Sequence, residues 1–246
     1  MHSMFDDNNV ISFIFTFLPA LIYSIIVYIT APPFTIRWRT ASLYFCMGVL
    51  STILVNAVHY MFPNWDEPMS KNMMIALFAT AFVKVGALEE MSKFSMFKLT
   101  DWYRNKKMVD HPSSIMFYAM SISCGFAVSE NILYAQIYGG DVLLIRSFSS
   151  VLVHMICGLM LGYFVALGRI DNDSPKNMLS SIHPRFRMMC HTFAGICAAT
   201  FYHGLYDFNI FVNGDAGIDK SFTIIGIGLA ITYVMSAHLF RYFKQS

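Results

Sequence analysis

Apolar residues fall along this chain in seven long blocks, at 10–30, 43–61, 73–97, 114–138, 142–167, 188–212 and 221–240. Each approaches the ~20 residues that a helix needs to cross a hydrocarbon core of ~30 Å. The blocks are too long for strands and do not alternate between apolar and polar positions. Between them stand residues that turn or stop a helix: Ala31-Pro32-Pro33, Pro63-Asn64, Gly139-Gly140-Asp141, the polar run 169–187 and Asn213-Gly214-Asp215. The pattern predicts an all-α polytopic membrane protein of about seven transmembrane helices.

Composition agrees with lipid as the solvent. The chain is 56% hydrophobic and 13% charged, against about 25% charged residues in ordinary soluble domains. With no linker or low-complexity tract and no internal repeat, residues 1–246 read as a single integral membrane domain. A formal net charge of +2 gives no reason to expect a nucleic-acid partner. The five cysteines, Cys46, Cys124, Cys157, Cys190 and Cys197, lie in apolar stretches without metal-ribbon spacing and read as buried free thiols. Residues 1–9 carry Asp6 and Asp7 and no Lys or Arg, so they lack the basic start of a cleavable signal peptide, and the first span is expected to be retained.

The distribution of charge says more than its total. Arg37, Arg39, Lys98, Arg104, Lys106, Lys107, Arg169, Lys176, Arg185, Arg187, Arg241 and Lys244 occupy one set of connections; Lys71 and Lys220 occupy the other. Basic residues are retained on the cytoplasmic side. The expected orientation is therefore N-terminus outside and C-terminus cytoplasmic, in a multi-pass protein of the cell membrane.

A charge at the centre of a spanning helix costs roughly 2.5–3.5 kcal/mol on insertion scales, so ionisable residues inside the blocks are candidates for function. The third block holds Lys84, Glu89, Glu90 and Lys93; the fourth Glu130 and Asn131; the fifth Arg146 and His154; the sixth His203 and Asp207. Adjacent helical residues point about 100° apart, so Glu89 and Glu90 must have different surroundings. Lys93 lies one turn on from both and can pair with either. Glu130 has no basic neighbour in sequence and needs a partner from another span. His154 is followed by Gly158 and Gly162, whose spacing permits close helix packing. Asp207, one turn after His203, can hold that ring's second nitrogen. At 1.5 Å per residue from the outer end of each block, Glu130 lies roughly 13 Å deep, His203 roughly 15 Å, His154 roughly 20 Å and Glu89 roughly 25 Å. Glu89 is thus the outlier of a layer expected to converge within about 10 Å, unless an irregularity at Gly86 raises it.

Such a cluster in a low-dielectric cavity can activate water for attack on a peptide carbonyl. One version is metal-free: a carboxylate is general base, and histidine and amide groups donate to the oxyanion. The other uses zinc, with Glu130, His154 and His203 as ligands. No HExxH signature is present, which favours the metal-free version with no cofactor. A non-catalytic scaffold and a proton or ion transporter are the alternatives; a transporter commonly shows repeated halves or broken helices, and none is apparent.

Four blocks in order carry a family resemblance: Glu89-Glu90-x-x-Lys93; Phe126-x-x-x-Glu130-Asn131-x-x-Tyr134; His154 with its glycines; and His203-Gly204-x-x-Asp207. Together they resemble the PrsW family of intramembrane proteases, within the larger group of CAAX prenyl proteases and bacteriocin-processing proteins. The blocks cover about residues 73–212. In the prenyl proteases the second block ends in histidine and the last in asparagine, whereas Glu130 and Asp207 stand here, as in PrsW-like proteins. The resemblance implies a catalytic glutamate pair, with Glu89 as general base and Glu90 supporting it. Glu130, His154 and His203 would complete the water site, and Lys93, Phe126, Asn131, Tyr134 and Asp207 would support it. It also implies cleavage of a single-span membrane protein, such as an anti-sigma factor, near the outer face of the bilayer. The seven-span scaffolding subunit of gamma-secretase is a distant relative by fold and lacks the full acidic pair.

Overall fold

The computed structural model describes residues 7–30, 36–65, 67–104, 111–138, 140–173 and 183–244. Among these the chain is helical and has no strand. The helices are α1 (Asp7–Thr30), α2 (Trp38–Met61), α3 (Met73–Ala79), α4 (Leu88–Tyr103), α5 (Pro112–Tyr138), α6 (Gly140–Asp173), α7 (Pro184–Asn213) and α8 (Gly217–Lys244). A π-helical segment, Thr80–Ala87, joins α3 to α4, and a short 3-10 turn, Gly214–Ala216, joins α7 to α8.

Four helices among the described residues are long and apolar enough to cross a membrane: Trp38–Met61, Pro112–Ile137, Arg146–Ile170 and Gly217–Leu239. A shorter apolar stretch lies at Phe17–Ile26 in α1. The remaining two expected spans fall on α3 to α4 and on α7, where the buried Glu, Lys, Arg and His side chains dilute the apolar character. The turn expected at 31–33 lies outside the described residues. The break expected at Gly139-Gly140-Asp141 is shorter than the sequence suggests, since α6 already begins at Gly140. At the other end α6 runs on through the start of the polar run, to Asp173.

Helices α5 and α6 form the centre of the bundle. Their apolar windows are 83% and 78% buried, against 22% for α2 and for α8, whose outer faces keep Leu, Ile and Val exposed as a lipid solvent demands. Without a hydrophobic force between helices in lipid, close approach depends on small residues. Gly158 and Gly162 serve α6 in this way: an added Cβ would fall 2.7 Å from the Ala119 carbonyl oxygen and 2.6 Å from Met116 Cα of α5. At the α2/α5 crossing a Cβ on Gly48 or Gly125 would come within 2.0 Å of a carbonyl oxygen of the other helix. Gly214, with φ of 54°, makes the turn into α8 in the left-handed region that glycine tolerates.

The third apolar block is not one regular helix. In a π-helix each N–H bonds five residues back, and such segments are rare and gather at functional sites. The wider turn rises less per residue, which makes Glu89 shallower than a straight α-helix would place it. Helix α7 lies directly against this segment: a Cβ on Gly86 would stand 3.2 Å from the Thr200 carbonyl oxygen, and one on Gly204 2.5 Å from Phe82 Cδ1. The connection after α2 folds over the same segment. Trp65 Nε1 donates to the Lys84 carbonyl oxygen at 3.3 Å, and the Lys84 ammonium donates to the carbonyl oxygen of Glu67.

Not all of the cysteines are buried. Cys124 and Cys157 are, whereas Cys46, Cys190 and Cys197 are exposed on the helix surfaces; all five are free. An apolar stretch in a membrane protein faces lipid as readily as it faces the core, and composition does not separate the two.

Candidate active site

The ionisable residues of four helices meet between α4, α5, α6 and α7. Glu89, Glu90 and Lys93 come from the first two turns of α4, Glu130 from α5, Arg146 and His154 from α6, and His203 and Asp207 from α7. Lys93 is the hub. Its ammonium donates to Glu90 Oε1 at 2.7 Å and to His154 Nδ1 at 2.8 Å, lies 3.7 Å from Glu89 Oε2, and rests 4.2 Å from the centre of the Phe126 ring. An ammonium has donors only, so Nδ1 of His154 is the acceptor and the ring proton belongs on Nε2. That nitrogen donates to Glu130 Oε2 at 3.0 Å.

Glu130 receives a second donor that the motif does not contain. Arg146 Nη2 lies 2.9 Å from the same oxygen, while its Nε donates to Asn131 Oδ1 at 3.2 Å. The guanidinium lies over the Tyr134 ring, 3.6 Å from its centre. Arg146 is the functional candidate that motif reading missed. The signal for it was present: a basic residue inside a span on one side, and an acid without a local partner on the other.

The two histidines stand edge to face, 4.8 Å between ring centres. His203 Nδ1 donates to Glu90 Oε1 at 2.9 Å. Its Nε2 faces Asp207 Oδ2 at 3.4 Å and Glu89 Oε2 at 3.8 Å. Both of these oxygens are buried and accept no hydrogen bond, and the same holds for Glu90 Oε2. On the donor side, Asn131 Nδ2 is buried with no partner. The ten residues named by the motif blocks are therefore brought together: the acids and histidines touch in series, and Phe126, Asn131 and Tyr134 pack on the cations that hold them.

Two features bear on a metal ion. First, charge: Glu89, Glu90, Glu130 and Asp207 face Lys93 and Arg146, which leaves two negative charges uncompensated in a site shielded from water. Such charge costs several kcal/mol per ion when buried, so two protons or one divalent cation must balance it. Secondly, donors: ligand atoms of Glu89, His154 and His203 all lie within 4.8 Å of one another, a carboxylate with two imidazoles as in zinc peptidase sites. Glu130, the acid expected in that set, instead has its Oε2 engaged by Arg146 and His154. The residues fit a divalent cation, provided His154 gives up one of its present partners.

Comparison with known proteins adds an independent line. Residues 36–237 match the family described as PrsW family intramembrane metalloprotease. Among individual proteins, the chain is 27% identical over 139 residues to Protease PrsW of Oceanobacillus iheyensis, covering 55% of this chain and 60% of that one. It is 24% identical over 164 residues to Protease PrsW of Shouchella clausii, covering 67% and 66%, and equally similar to that of Bacillus subtilis. The matched stretch thus spans less than two thirds of these relatives. No solved structure matches the chain.

Proposed function

This chain belongs to the PrsW family of intramembrane metalloproteases, and we propose that it is an intramembrane peptidase in which Glu89 draws a proton from the attacking water. The observation that carries this reading is the meeting of three acceptors. Glu89 Oε2, Asp207 Oδ2 and the Nε2 edge of His203 face one another without a donor between them. With the ring proton on Nδ1, such a set repels itself unless a proton, a cation or a water stands among them.

A water there gives its proton to Glu89 while its oxygen attacks the peptide carbonyl carbon. Charge gathers on the carbonyl oxygen, and Asn131 Nδ2, a buried donor in need of an acceptor, turns to receive it. The C–N bond then breaks as Glu89 returns the proton to the leaving amine. Glu90, saturated by Lys93 and His203, is not a base but a fixed counter-charge that holds the ring. Arg146 keeps Glu130 ionised as the acceptor that orients His154. The residues that would hold the cation implied by the family description are Glu89, His154 and His203; a cation held there supplies Lewis acidity and lowers the pKa of bound water to about 7.

We further propose seven spans with the N-terminus outside and the C-terminus cytoplasmic, supported by the one-sided placement of basic residues. Impermeant-thiol labelling of intact cells should reach a cysteine introduced at Asn64 and not one at Arg104; the reverse pattern would overturn the orientation. The substrate class is a single-span membrane protein, such as an anchored regulator, cut at the depth of His203.

The test is cleavage of a panel of single-span reporters by purified protein in liposomes, with and without chelator. Wild type should cut, and His203→Ala should not. Folded wild type that cuts no reporter would leave the non-catalytic scaffold as the better reading. Loss of cleavage on chelation, restored by zinc, would assign water activation to a metal.

A further inference from the structure

Cys157 of α6 is a reactive side chain in this centre that the peptidase reading leaves unused. It is fully buried, and its Sγ lies 3.5 Å from the carbonyl oxygen of Ala199, one turn before His203 on α7. Ligand atoms of Glu90, Cys157 and His203 all fall within 4.8 Å of one another, and all three residues are buried. Glu90 spends Oε1 on Lys93 and His203, but its Oε2 is buried with no partner at all. His203 has two edges. Nδ1 faces Glu90; Nε2 faces Glu89 and Asp207.

A thiol, a carboxylate oxygen and an imidazole nitrogen make a softer donor set than the one on the Nε2 edge, and a thiolate selects zinc-like and softer ions. Bond lengths of about 2.3 Å to sulfur and about 2.0–2.2 Å to nitrogen and oxygen put ligand atoms roughly 3.3–3.6 Å apart, so the present group must contract by about 1 Å. The charge surplus of the centre accommodates one divalent cation and not two. We propose that Glu90 Oε2, Cys157 Sγ and His203 Nδ1 form a second cation site, for a thiophilic divalent ion, whose occupation excludes any ion from the Nε2 edge.

The exchange is balanced. The thiol S–H breaks, its proton leaves to water and an S–metal bond forms. The His203 ring gives up its hydrogen bond to Glu90 Oε1, and the ring proton moves to Nε2. From there it donates to Asp207 or Glu89 and closes the position between them. Lys93 retains Glu90 Oε1 throughout. Ion binding at the Nδ1 edge is thus an off state of the centre, reached through the tautomer of one shared histidine.

The experiment is a cadmium chloride titration of the full-length protein in detergent, read by near-ultraviolet thiolate-to-cadmium absorption and by the thermal midpoint. Three proteins are compared: wild type, Cys157→Ser with Cys157→Ala as its small apolar alternate, and a variant with serine at Cys46, Cys124, Cys190 and Cys197. Wild type and the four-serine variant should show a saturable band at one ion per chain with a rise in midpoint, and either folded Cys157 variant should lose both. A band that survives in a Cys157 variant, or no saturable band in wild type, overturns the site. Cleavage plays no part in the readout, so protein that cuts no reporter still gives an answer.

Discussion

Two polar networks tie these helices together, and they are finished to different degrees. Near the α4/α5 connection, Tyr44 donates to Asp101 Oδ1 at 2.5 Å, Arg169 donates to Asp101 Oδ2, and Arg104 donates to the Tyr44 hydroxyl at 3.1 Å. Arg104 also lies over the Tyr44 and Tyr118 rings, which stack 5.0 Å apart. Each carboxylate oxygen of Asp101 has a donor. The centre at Glu89 is built from the same kinds of group, yet it leaves three carboxylate oxygens without one. A network that only joins helices can saturate its acceptors; one that must receive water, a cation or a peptide has to keep some open. The contrast appears within one dipeptide too, where Glu90 is closed by Lys93 and His203 and Glu89 is open.

The largest effect should come from opposing those neighbours. Glu89→Gln should lower reporter cleavage by about 10²–10⁴-fold, the range for a lost general base, with little change in the thermal midpoint. Equal loss of stability and activity would erase the distinction between the open and the closed acid. Next, Lys93→Met leaves Glu90 buried without its countercharge, and breaking such a pair costs about 3–5 kcal/mol. A clear fall in the thermal midpoint in detergent should follow, together with lost activity. Gly204→Ala places a methyl 2.5 Å from Phe82 Cδ1; overpacking of this kind costs about 1–3 kcal/mol. It should also separate His203 from Glu89 and so reduce cleavage beyond what the stability loss explains. Smallest, Asp101→Asn in the closed network should cost about 1.5 kcal/mol of stability and leave cleavage unchanged below the midpoint. A drop in turnover with that variant would show that the two networks are coupled.

Much of the centre is legible in the chain because membranes penalise charge so strongly. Glu89, Glu90, Lys93, Glu130, His154, His203 and Asp207 stand out against apolar surroundings, and the 100° step between the glutamates already requires two environments. Pairings across helices are not legible. Sequence shows that Glu130 and Arg146 each need a partner, but only packing chooses them for each other and sets Lys93 against His154. Cys157 looks like any buried small side chain until α7 brings His203 beside it. The count of spans is also less sharp than the apolar blocks suggest, since the residues that build the centre lower the hydropathy of the helices bearing them.

The depth mismatch of Glu89 traces to Thr80–Ala87, and that segment carries a further consequence. A π-helical stretch behaves as an insertion into an α-helix: it stores surplus chain length without breaking the rod. Deleting one residue within it would let the ladder fall back into the α register and turn everything downstream by about 100°. Glu89 would leave His203 although no side chain of the centre had changed. The number of residues between the outer connection and the glutamate pair is therefore as much a part of the site as the glutamates themselves, and a relative that keeps the motif but not the spacing would carry it out of phase.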